Sequence, residues 1–147
     1  MIAAAILLPL LFAAAAFGVR QVVLRRRLWL LAALVHGAVV IAMILHPPQP
    51  IWGGWLAADS LGLLFLGIVS LLFCVSAVYG PSYLAGRAHG QESGSRDPER
   101  LFIACLLIFL ATMSLVTLSH HLGLLWVAVE ATTLASAPLI FFHRTVQ

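Results

Sequence analysis

Lysine is absent from this chain of 147 residues, and charge of either sign is scarce: only 9% of residues are Asp, Glu, Lys or Arg. With 63% hydrophobic residues and a mean hydropathy of +1.08, there is too little polar surface for a soluble domain of this size. Cysteine is nearly absent too. Cys74 and Cys105 both fall inside apolar runs, where they supply neither a disulfide framework nor metal-ligand spacing and read as small packing residues. No cluster, haem or nucleotide motif is present, so no cofactor is expected. The apolar runs do not alternate with polar residues, which excludes a β-barrel.

What is present is a succession of five apolar runs: Ile2–Val19, Leu28–Leu45, Leu61–Leu84, Leu101–Leu118 and Leu122–Phe142. Each reads as a membrane-spanning α-helix, because a segment in lipid must satisfy its backbone hydrogen bonds internally. The fold class is therefore all-α, a single polytopic membrane domain over residues 1–147. The first run lacks the preceding positive charge of a signal peptide, and its arginines follow it, so it reads as a retained helix.

The net charge of +3 does not point to nucleic acid. All eight basic residues are arginines at the edges of apolar runs. Arg20, Arg25, Arg26 and Arg27 lie between the first two runs, Arg87, Arg96 and Arg100 between the third and fourth, and Arg144 after the fifth. The second loop (Pro47–Ser60) and the fourth (around His120-His121) have none. The positive-inside rule then puts the N-terminus outside and the C-terminus in the cytoplasm, with the lipid bilayer as first partner.

The connections carry their own signals. His46-Pro-Pro-Gln-Pro-Ile-Trp52-Gly-Gly-Trp55 cannot continue a helix, and its tryptophans suit a membrane interface. Asp59-Ser60 reads as an N-cap, and Gly80-Pro81 as a kink or early stop. The segment Ala85–Arg100 reads as a flexible connector ending in a cap, Asp97, a first-turn proline, Pro98, and a first-turn acid, Glu99. Trp29 and Tyr83 fit a cytoplasmic aromatic belt. The very short link between the last two runs makes their helices antiparallel neighbours.

One acid stands out. Glu130 lies on the order of 12–13 Å from the outer end of the fifth run, near the hydrocarbon midplane. A charge there costs about 2.5–3.5 kcal/mol on insertion scales, and such residues mark ion or proton routes. Helical spacing puts Trp126, Glu130, Thr133 and Ala137 on one face. Thr133 either donates to Glu130 or bonds its own backbone. His36, near the middle of the second run, relays protons to Glu130 if the second and fifth helices meet; otherwise it is a neutral histidine hydrogen-bonded inside the bundle. His46, His120 and His121 lie at the outer edge and His143 at the inner one. Adjacent positions 120 and 121 face different sides of a helix and suit one metal poorly.

Trp126-Val-Ala-Val-Glu130-Ala-Thr-Thr-Leu-Ala-Ser-Ala-Pro-Leu-Ile resembles the glutamate-bearing fifth helix of the antiporter-like, proton-translocating membrane subunits. These occur in respiratory complex I, Mrp-type sodium/proton antiporters and membrane-bound hydrogenase complexes. The run Glu-Ala-Thr-Thr-Leu-Ala-Ser is most similar to hydrogenase-4 component F, and Asp59-Ser-Leu-Gly-Leu-Leu-Phe-Leu with Tyr79 and Tyr83-Leu84 resembles the third helix of the same group. The resemblance implies that Glu130 pairs with a lysine on a later, broken helix to move protons. Family members are longer, with two inverted five-helix repeats, so this chain is expected to be the N-terminal portion, ending before that lysine. It implies a proton-translocating module in the bacterial cytoplasmic (inner) membrane, partnered by other subunits of a hydrogenase or complex-I-like assembly that carry the redox sites. The alternatives are an Mrp-type cation/proton antiporter subunit and a non-transporting structural fragment.

Overall fold

The computed structural model describes residues 1–87 and 98–144, with side chains over 1–80 and 99–139. It is all-α: α1 (Ile2–Gly18), α2 (Val22–Leu45), α3 (Ser60–Arg87), α4 (Pro98–Leu118) and α5 (Leu122–Arg144), with one 3₁₀ turn at Trp52–Gly54. Helices α2 to α5 each contain a stretch long and apolar enough to cross a membrane, whereas α1 is apolar but shorter. This is the architecture of a multi-pass membrane protein.

Helix α4 is the hub. It packs against α1, α3, α5 and, more lightly, α2; α2 in turn lies against α1 and α3. Small residues make the closest approaches. Along α1 the buried positions are Ile2, Ala5, Pro9, Ala13 and Ala16, a stripe recurring every three or four residues that lets the α4 backbone come near. Two apolar cores result. One, at the arginine-bearing end, gathers Trp29, Phe73, Ile103, Leu107 and Leu110. The other, at the opposite end, gathers Ile2, Val40, Met43, Leu63, Leu66 and Leu118.

Both ends are fastened by polar groups. At the arginine-bearing end, Arg26 grips Glu99 with two hydrogen bonds, Nε to Oε1 at 2.8 Å and Nη2 to Oε2 at 2.9 Å. Arg25, fully buried, lies 3.7 Å from the same carboxylate, and Arg100 sits over the Phe17 ring, 4.2 Å from its centroid. At the other end the Trp52–Gly54 turn places Trp52, Gly53 and Gly54 at positive φ, a conformation that favours the two glycines. It directs Leu56 inward, and the segment is pinned to the α4–α5 link by Ala57 N–H to Leu118 O (3.0 Å) and His120 N–H to Trp55 O (2.8 Å). The Trp55 ring stacks on His121 with centroids 4.1 Å apart. Asp59 caps α3, its Oδ1 accepting from Gly62 N–H at 2.8 Å.

Three sequence readings change. Helix α2 begins at Val22, ahead of the apolar run starting at Leu28, so Arg25, Arg26 and Arg27 lie on its first turns. An arginine on a helix end can bury its stem and pair its head, which apolar pattern alone does not register. Helix α3 runs through Pro81 to Arg87, so the early stop does not occur; a membrane helix tolerates an internal proline. Trp29 does not face outward as a belt residue would but is wholly buried. Its indole occupies the place where a side chain on Gly80 would stand, so glycine on α3 makes room for it. The connector assigned to Ala85–Arg100, including Asp97, falls largely outside the described residues; Pro98 opens α4 and Glu99 is its first-turn acid.

Candidate functional site

Helix α5 is the most weakly covered element. Only 11% of its apolar window is buried, against 44% for α4, and among the described residues it packs on α4 alone. The seam uses Ala128 and Ala135, small residues on one face. The opposite face carries Trp126, Glu130, Thr133 and Ala137, all exposed in this chain. The Thr133 hydroxyl donates to the Glu130 backbone carbonyl at 2.7 Å, so it serves its own helix and leaves the carboxylate alone. That carboxylate has no hydrogen-bond partner among the described residues. Beyond it α5 continues through Pro138, which cannot donate to the Leu134 carbonyl.

His36 has the opposite environment. It is 1% exposed, between the two apolar cores, and joins three helices. Its Nδ1 lies 3.1 Å from Ser70 Oγ on α3, and its Nε2 lies 3.0 Å from Ser114 Oγ on α4. The tautomer follows from the serines. Ser114 already donates its hydroxyl proton to Leu110 O at 2.8 Å, so it accepts from Nε2–H, and Nδ1 accepts from Ser70. A fourth helix contributes as well: the Ala5 carbonyl of α1 lies against the imidazole. Pro9 lacks the N–H that would bond that carbonyl, which leaves it directed at the histidine.

The structure therefore separates the sequence-derived candidates. Glu130 and Thr133 share the outer face of α5. His36 lies in the bundle interior, and among the described residues α2 and α5 do not touch, whereas α4 packs on both. The histidine is held as a hydrogen-bonded interior group. Sequence reading did not single out Ser70 and Ser114; the available signal was a small polar residue inside an apolar span, within the third run for Ser70 and four residues from the end of the fourth for Ser114. Arg25 was likewise missed as a buried residue. At the outer end, His121 is occupied in the stack on Trp55, while His120 makes a 3.5 Å contact from Nδ1 to Leu118 O.

Comparison with known proteins adds lineage. No family model matches the chain, and no solved structure matches it. A hydrogenase-4 component F homolog from Methylacidiphilum infernorum (isolate V4) is 25% identical over 113 residues, covering 76% of this chain and 22% of the relative. A probable inorganic carbon transporter subunit DabB from Hydrogenovibrio crunogenus is 28% identical over 95 residues, covering 65% of this chain and 17% of the relative. The chain thus spans about a fifth of the length of the curated relatives it matches. It is a distant homologue of antiporter-like, complex I-related membrane subunits.

Proposed function

We propose that this chain contributes a proton-carrying element to a hydrogenase-4 or complex-I-like membrane oxidoreductase assembly, with Glu130 as the residue that takes up and releases the proton. All five helices span the membrane in this reading, with the N-terminus outside and the C-terminus on the cytoplasmic side of a bacterial inner membrane. The observation that carries it is the position of Glu130: a mid-span carboxylate on a part of α5 that α4 does not cover. An acid exposed there to lipid alone is costly, so a partner surface with a polar or basic group is required. This chain has no lysine, and its arginines lie at helix ends or in the links, so the counter-charge comes from outside the described helices. Burial favours the neutral acid, an approaching cation favours the carboxylate, and alternation between the two moves a proton. His36 is a secondary candidate only, since among the described residues α2 and α5 do not touch.

The test is proton flux into inverted membrane vesicles bearing the assembled complex. Glu130→Gln is expected to abolish redox-driven acidification while the assembly remains intact, and Glu130→Asp to retain part of it. Unchanged flux with Glu130→Gln overturns the proposal. The likeness to DabB supports a second reading, a transport subunit driven without a redox partner. In that case Glu130-dependent flux persists when the redox substrate is withheld and follows the transported ion instead; a sodium dependence identifies the Mrp-type antiporter.

A further inference from the structure

Between α2 and α3, at the arginine-bearing end, lies a groove of about 390 Å³ walled by Val23, Leu30, Ala77 and Val78 and rimmed by Arg26 and Arg27. We propose that this groove holds one anionic phospholipid, its acyl chain along the apolar wall and its phosphate on Arg27. Three observations support the assignment, and none depends on the role given to Glu130.

The first is depth. The apolar run of α2, Leu28–Leu45, rises about 27 Å, close to a hydrocarbon core of roughly 30 Å. Arg26 and Arg27, just ahead of it on the same helix, therefore lie at the headgroup layer while Leu30 and the residues after it lie among acyl chains. The second is charge. Arg26 is held by Glu99 at 2.8 and 2.9 Å. Arg27 is exposed and pairs with no acid among the described residues. A guanidinium unmatched among the described residues, at the level of phosphates and with several donors suited to an oxyanion, selects an anionic headgroup over a zwitterionic one. The third is the wall. Val23 and Val78, which line it from α2 and α3, are 64% and 60% exposed, and Ala77 adds a small side chain to the lining. Apolar lining with a cationic mouth matches a lipid better than a water-soluble phosphate compound.

Native mass spectrometry of the full chain, released from detergent after exchange into phosphatidylglycerol or phosphatidylcholine of identical acyl chains, tests this. One retained phosphatidylglycerol per chain is expected, with phosphatidylcholine washed away. Arg27→Gln is expected to lower retention about tenfold, as loss of a charged hydrogen bond does. Val78→Trp, which fills the cleft without touching the charge, is expected to expel the lipid, with helicity by circular dichroism confirming that the bundle is intact. Arg20→Gln, outside the groove, is expected to retain it. Equal retention of the two lipids overturns the assignment, as does indifference to Arg27→Gln. Displacement of the lipid by millimolar inorganic phosphate also overturns it, since the site then reads phosphate alone.

Discussion

Replacing His36 by leucine removes a side chain that ties α2 to serines on α3 and α4 while leaving the space largely filled. The cost is worked from two lost contacts, at 3.1 Å to Ser70 and 3.0 Å to Ser114. Side-chain hydrogen bonds between membrane helices average about 0.6 kcal/mol and reach about 1.7 kcal/mol. Ser114 keeps its bond to Leu110 O when the imidazole is gone, so it is not orphaned. The sum for His36→Leu is therefore about 1–3 kcal/mol. His36→Ala adds an unfilled cavity at a site only 1% exposed and is expected to cost about 3–5 kcal/mol. Reversible unfolding in mixed detergent micelles, followed by far-ultraviolet circular dichroism, measures both. A double-mutant cycle between His36→Leu and Ser114→Ala isolates the bond, with a coupling of about 0.6–1.7 kcal/mol expected. A coupling below about 0.3 kcal/mol, within the error of such cycles, refutes the hydrogen-bonded node.

Other substitutions probe the remaining joints by the same unfolding assay. Gly80→Ala puts a methyl into the Trp29 ring and is expected to cost about 1–3 kcal/mol as overpacking; a neutral result contradicts the close approach. Glu99→Gln weakens the two-bond grip on Arg26 and removes the charge beside buried Arg25, with a loss of about 1.5–3 kcal/mol expected. Thr133→Val removes only a bond to the Glu130 backbone carbonyl and is expected to change stability by less than about 0.5 kcal/mol, with proton flux preserved. If Thr133→Val stops flux as Glu130→Gln does, the hydroxyl acts on the carboxylate after all.

The helices were legible in the sequence because lipid leaves the backbone few alternatives, so each apolar run of sufficient length becomes a helix. The caps at Asp59 and the first turn at Pro98-Glu99 were legible for local reasons: the residue types that satisfy free N–H groups or favour a helix start are few. What apolar pattern does not encode is which helices touch. The four-helix meeting at His36 depends on Ser70, Ser114 and the carbonyl freed by Pro9, residues far apart in the chain. The burial of Trp29 required knowing that Gly80 faces it. The separation of His36 from Glu130 follows from α4 packing on both α2 and α5, a matter of packing order rather than periodicity.

What covers the Glu130 face decides its role, and site-directed spin labelling measures that directly. Labels at 126, 130, 133 and 137, in membranes of the source organism with the assembly intact, are exposed to oxygen, which concentrates in lipid, and to a water-soluble nickel relaxant. Against a reference label at exposed Ile41 of α2, low oxygen access on that face with measurable nickel access at 130 is expected. Oxygen access at 130 equal to the Ile41 reference, with no nickel access, places the carboxyl against lipid tails and contradicts a proton-carrying role.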